Sequence, residues 1–186
     1  TNLPLAFEHL PVQEVFIDGE PAMVSVPMLD QKCYVKIWTL KVGRVSLFLL
    51  DTDIDQNPEH LRGITRRLYG GNNETRIRQE LILGIGGVRA LSLLGIEPNT
   101  FHLNEGHSSF LVLERARVYM HKLDVDVYTA IERLRSEHAF TTHTPVEAGH
   151  DRFDNDLALS YLSWWARSVG ISDGELLALG QWPNRH

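Results

Sequence analysis

Read for the spacing of its apolar and polar positions, the chain changes period near residue 50. Before that point short apolar or β-branched runs occupy residues 15–17, 23–26, 34–40 and 45–50, and Asp18-Gly19, Asp30-Gln31 and Gly43 fall between them as turn residues. Such spacing predicts strands joined as antiparallel hairpins. The last run, Val45-Ser46-Leu47-Phe48-Leu49-Leu50, is almost continuously apolar and reads as a strand covered on both faces.

Beyond it the pattern is helical. Asn57-Pro58-Glu59 predicts a helix start, with Asn as cap and Pro in the first turn, running through Leu61, Ile64 and Leu68 to a break at Gly70-Gly71-Asn72-Asn73. Ile77, Leu81, Ile85, Val88, Leu91 and Leu94 recur at helical steps, so a helix is predicted over residues 74–94, ended by Gly95. A short strand at 100–103 precedes a helix at 105–120. Asp126 opens another helix that ends near His138. A strand at 140–142 is stopped by Pro145, and helices follow at 156–169 and 175–179, the latter capped by Ser172-Asp173. Strands separated by helices imply crossovers and a mostly parallel sheet with helices on its faces, here flanked by an antiparallel strand region at 14–50. The predicted fold class is α/β, with the α/β region at 51–186.

Composition narrows the partners. The 186 residues suit one domain, and 18 Lys plus Arg against 24 Asp plus Glu give a net charge of -6, which offers no footprint for nucleic acid or an anionic membrane. Cys33 stands alone, so no internal disulfide is expected, a reducing cytoplasmic setting is favoured, and the thiol reads as buried packing. No apolar run is long enough to span a bilayer, and the N-terminus lacks the pattern of a secretory signal. A chain that begins without Met and ends in Trp182-Pro183-Asn184-Arg185-His186, with no evident closing element, reads as a piece of something longer. Oligomerisation is left open.

Ligands of open parallel sheets bind beyond the carboxyl ends of the strands. Those ends carry Asp51 and Asp53, then Asn104, Glu105 and His107, then His143 and Thr144. Each has a bland alternative. Glu105 reads equally as a first-turn acid favoured by the helix dipole, with Asn104 as its cap, and His107 as a partner of nearby backbone. Asp51 and Asp53 read better as turn organisers. His143 is the hardest to dismiss, because Thr141, Thr142 and Thr144 surround it at a strand end. A metal cluster drawn from His102, His107, His143, His150 and Glu105 lacks the His-Glu-x-x-His arrangement, so no metal is expected. Gly84-Ile85-Gly86-Gly87 is not a dinucleotide loop, since Arg89 stands where the third glycine belongs. Close packing of a helix against the sheet accounts for it better.

The motifs Asn104-Glu105-Gly106-His107 and Thr142-His143-Thr144-Pro145 resemble those of the α-glucan phosphorylases, the glycogen, starch and maltodextrin phosphorylases, in their shorter prokaryotic branch. The likeness extends to Leu49-Leu50-Asp51-Thr52-Asp53, Leu68-Tyr69-Gly70-Gly71, Arg76-Ile77-Arg78-Gln79-Glu80 and Gly84-Ile85-Gly86-Gly87-Val88-Arg89-Ala90-Leu91. The resemblance implies part of the N-terminal, Rossmann-like lobe of a two-lobed glycosyltransferase, occupying residues 1–186. It implies a parent enzyme that cleaves α-1,4-glucans with phosphate, gives glucose 1-phosphate and uses pyridoxal phosphate. His143 is then the catalytic residue, its ring at the sugar hydroxymethyl and its carbonyl facing the developing positive charge. Asn104, Glu105, His107 and Thr144 are then substrate-binding. Longer members carry Asp-Thr-His where this chain has Glu105-Gly106-His107. No counterpart of the phosphate-facing glycine-rich loop or of the cofactor lysine is found, and Lys122 reads as lying between helices. The chain is therefore expected to hold sugar-side residues, to bind no cofactor and to be inactive alone. Two other readings stand beside this one. One is a non-catalytic carbohydrate-binding or interaction module with Trp164 and Trp165 stacking on sugars, although tryptophans in an amphipathic helix usually pack in a core. The other is a two-carboxylate glycosidase using Glu105 with Asp51 or Asp53.

Overall fold

The computed structural model describes residues 11–67, 71–145 and 151–181. Its first part consists of β1 (Gln13–Glu14), β2 (Phe16–Ile17), β3 (Glu20–Pro21), β4 (Met23–Met28), β5 (Gln31–Val42) and β6 (Val45–Asp51). β2 and β3 form a small hairpin on Asp18-Gly19, both at positive φ. β5 is the centre of the main sheet and pairs antiparallel with β1, β4 and β6. Along it Cys33, Val35 and Ile37 are buried while Lys32 and Tyr34 are exposed, the two-residue period of a strand with one face on a core. The expected hairpins are present.

β6 departs from expectation. Val45 is 66% and Leu47 45% exposed, so the strand is not covered on both faces. Burial rises along it, from the exposed Val45 and Leu47 to the half-buried Phe48 and Leu50, so only its second half packs on the core.

Helices cover the other side. α1 (Glu59–Arg62) is a single turn, and Asn57 does not cap it. Instead the buried Asn57 side chain accepts from Tyr34 N at 2.8 Å and donates to Tyr34 O and Thr52 O, tying the loop to β5. Leu68, Tyr69 and Gly70, expected to end that helix, lie outside the described residues. α2 (Asn73–Leu81), capped by Asn72, runs through a π-helical turn (Ile82–Gly86) into α3 (Gly87–Leu93). A Cβ on Gly84 would stand 2.7 Å from Leu111 N, whereas one on Gly86 would meet Val26 and Leu50 of the sheet. The glycine run does serve close packing, but its tightest neighbour is the chain at Phe110 and Leu111 rather than the sheet.

There follow β7 (Phe101–Asn104), a 3-10 turn (Gly106–Ser108), α4 (Leu111–Leu123) and α5 (Val127–Leu134), the last capped by Asp126. β8 (His138–Thr141), α6 (Asn155–Val169) and α7 (Asp173–Gly180) complete the order, with a Ser172–Glu175 capping box before α7. Lys122 lies within the last turn of α4, not between helices.

β7 and β8 form the one parallel pair among the described residues, in register from Phe101↔His138 to Asn104↔Thr141. The α/β class holds, but the described strands do not make a mostly parallel, Rossmann-like sheet: a four-stranded antiparallel sheet stands beside a two-stranded parallel one. Once β6 is taken as the hairpin partner of β5, only two strands separated by helices remain to pair in parallel.

Val26, Met28, Cys33 and Val35 pack on Ile77, Leu81 and Ile85, and the same core continues through Ala116, Tyr161 and Trp165. Burial raises the Cys33 thiol to about 11, in keeping with packing rather than reactivity. Trp165 is fully buried and donates from Nε1 to Leu113 O at 2.9 Å, and Trp164 packs against the core with Arg89 over its ring. Both tryptophans are structural.

Candidate functional site

Parallel pairing brings the carboxyl ends of β7 and β8 to one level, so the residues after them must meet. Glu105 N donates to Thr141 O at 2.8 Å, extending the pair by one step. The chain then turns sharply: Glu105 has φ 61° and ψ -172°, a region that residues with a Cβ rarely occupy. Its side chain is 7% exposed and points across to residues 142–144.

There Glu105 Oε1 accepts from the backbone N–H of His143, from Thr144 N at 3.0 Å and from Thr144 Oγ1 at 3.3 Å, and Oε2 accepts from Thr142 Oγ1 at 3.2 Å. The His143 N–H first, opposed by burial and aided by the threonine donors, holds the Glu105 carboxyl below its ordinary range. Asn104 Oδ1 lies 2.8 Å from His143 Nε2, and both residues are exposed. The reading of Glu105 as a first-turn acid with Asn104 as cap is thereby replaced, since neither side chain serves a helix. Four expected site residues, Asn104, Glu105, His143 and Thr144, are gathered at one open edge.

His107 is held elsewhere. Its Nδ1 lies 3.7 Å from Asp151 Oδ2, and Asp151 is also gripped by Arg76 through both carboxylate oxygens. Beside them Glu80 is 5% exposed. Burial first, then a hydrogen bond with Asp151, pushes its carboxyl from the ordinary 4.5 up to about 8. Arg76, Glu80 and His107 contribute to the wall of a largely apolar cavity of about 510 Å³ between β6 and α2–α3, along with Leu50, Leu83 and Leu94. Asn104, Glu105, His143 and Thr144 do not line it. Sequence reasoning did not single out Glu80 and Asp151. For Glu80 the signal was its register, three residues after the buried Ile77 and one before Leu81 on the inward helix face.

The metal question moves with these residues. His102 Nε2 is 2.7 Å from Thr141 Oγ1, His143 faces Asn104, and His150 lies outside the described residues. Among the described residues, the group with ligand atoms near one another is Glu80, His107 and Asp151, within 4.8 Å, where the Arg76 guanidinium already supplies a positive charge. Asp51 and Asp53 organise their turn, as expected: Asp51 accepts from Asp53 N and from Trp38 Nε1, and Asp53 pairs with Arg66. Among the described residues no helix is long and apolar enough to cross a membrane.

No family model matches the chain. Curated relatives do, and the enzymes they name are glycosyltransferases. A glycogen phosphorylase of Mycobacterium tuberculosis is 45% identical over 152 residues, 78% of this chain and 18% of that protein. A maltodextrin phosphorylase of Thermococcus litoralis is 43% identical over 147 residues, again 78% of this chain and 18% of the relative. A glycogen phosphorylase of Aquifex aeolicus is 33% identical over 178 residues, 95% of this chain and 25% of the relative. Over these residues the chain is a homologue of proteins named glycogen and maltodextrin phosphorylase, and it spans about a fifth to a quarter of the length of the relatives it matches.

Proposed function

We propose that the chain is the sugar-side part of an α-glucan phosphorylase whose whole form cleaves α-1,4-glucans with phosphate to glucose 1-phosphate. The observation that carries this reading is the meeting of Asn104 and Glu105 with residues 142–144 at the ends of adjacent parallel strands. His143 is the catalytic residue, its carbonyl turned to the positive charge of an oxocarbenium-like transition state and its ring to the sugar hydroxymethyl. An amide oxygen only accepts, so His143 Nε2 is the donor in the Asn104 contact. Contacts that strengthen as charge develops act on kcat rather than on ground-state binding. Asn104 and Thr144 form the substrate-binding side next to His143, with Glu105 beneath them bonded to residues 142–144, whereas His107, expected in the same pocket, is turned to Asp151. In the parent, β7 and β8 belong to a larger, mostly parallel, Rossmann-like sheet. Residues 1–186 are part of its N-terminal lobe, divided into the strand region at 14–50 and the α/β region at 51–186. The parent works in the cytoplasm on glucan and phosphate, without nucleic acid or membrane.

Pyridoxal phosphate belongs to the parent in this reading, where its phosphate supplies acid-base chemistry. The lysines here do not fit it: Lys36 is engaged by Glu14, Lys41 by Ser46, Lys122 ends α4 and Lys32 is exposed on β5. No step is routed through the cofactor in this chain.

The test is to incubate the full-length parent with a maltooligosaccharide, with and without phosphate. Glucose 1-phosphate should form only with phosphate, and His143→Ala should lower kcat about 100-fold or more. Sugar release that needs no phosphate would instead support the two-carboxylate glycosidase. The carbohydrate-module alternative loses its stacking platform, because Trp165 is fully buried and Trp164 is packed against the core.

A further inference from the structure

We propose that Glu105 is a positioning residue, which sets the place of His143 without itself touching the sugar. This rests on the reading of His143 given above and assigns Glu105 a part that the family likeness does not. A carboxylate offers about four acceptor sites. Oε1 accepts from His143 N, Thr144 N and Thr144 Oγ1 and Oε2 from Thr142 Oγ1, which leaves one acceptor site, on Oε2, in a residue only 7% exposed. A sugar hydroxyl approaching Oε1 would have to displace one of the bonds that hold the loop.

The neighbouring residue completes the grip. Asn104 meets His143 at the ring while Glu105 meets it at the backbone N–H, so one dipeptide at the end of β7 fixes both ends of the same histidine. Its carbonyl follows, because the adjoining peptide N–H, that of Thr144, is bonded to the same Oε1. The backbone conformation of Glu105 fits this role. The strained conformation, φ 61°, occurs at the residue whose carboxylate bonds residues 142–144. A residue needed only to fill space would not require that conformation.

The experiment compares Glu105→Gly, Glu105→Gln and the unaltered chain by amide hydrogen exchange. Glycine removes the carboxylate and the strain together, and circular dichroism of each variant checks that it is folded. Exchange at His143 and Thr144 should speed up about tenfold or more in Glu105→Gly, with amides of α6 unchanged and Glu105→Gln in between, since its amide oxygen still accepts. Unchanged exchange at 143 and 144, or an equal loss of protection throughout the chain, overturns the proposal. In the full-length parent Glu105→Gln should lower kcat about tenfold with KM for the glucan nearly constant. A raised KM with constant kcat would make Glu105 a sugar ligand and overturn it too. Absence of phosphorolysis in the unaltered parent would sink the functional reading while leaving the exchange result to decide the clamp.

Discussion

Glu80 shows how one buried carboxyl can set a pH response. Its folded value of about 8 lies above the ordinary 4.5, so the folded state binds more protons than the unfolded one between those values. Stability from this group is full at the acid end and is lost as pH rises through the folded value. Glu80→Gln should remove that loss: its melting temperature, compared with the unaltered chain from about pH 5 to about pH 9, should fall less, and at the alkaline end it should be the more stable. Parallel curves would contradict the assignment. Glu114 is the opposite case. It is 1% exposed, and although burial works against its charge, hydrogen bonds from Arg117 and Arg89 hold its carboxyl below the usual range. Because Arg89 also donates to Ser25 O, Glu114→Ala should loosen α3, α4 and β4 together and lower unfolding free energy by about 3 kcal/mol. Chemical denaturation measures it.

Among the elements, the helix from α2 to α3 is the one that aligns the two halves. The π-turn carries Gly84 to within a Cβ's reach of Leu111 N, at the first residue of α4. Gly84→Ala should destabilise the chain by about 1–3 kcal/mol through that backbone contact. Gly87, three residues on, has nothing within 4 Å of the corresponding point, so Gly87→Ala should stabilise by about 0.5–1 kcal/mol through helix propensity alone. Thermal melts of the pair separate close packing from propensity, and a stabilised Gly84→Ala would contradict the packing. The same helix was plain in the sequence from its apolar spacing, but the π-turn was not, since an extra residue in a turn leaves the periodicity nearly intact. Asn57 misled for a related reason. Its side chain can bond a strand as well as cap a helix, and tertiary contacts with Tyr34 decide the matter.

Across the whole molecule, sequence pattern located the strands, the long helices, the turns at Asp18-Gly19 and Gly43, and four site residues that meet in space. It failed on sheet direction, because an apolar run such as 45–50 looks the same in a central parallel strand and at the edge of a hairpin sheet, and only the short Gly43-Arg44 turn distinguishes them. It favoured His143 over His107 but still placed both in one pocket. Nothing in the spacing shows that the 3-10 turn at Gly106–Ser108 directs His107 to Asp151. The central claim is that this chain presents the sugar-side groups of a phosphorylase and none of the phosphate-side machinery. The measurement is an assay of glucose 1-phosphate release by the purified 186-residue chain, with maltooligosaccharide, phosphate and pyridoxal phosphate, run beside the full-length parent. The account predicts turnover by the parent and none by the chain; turnover by the chain alone would contradict it.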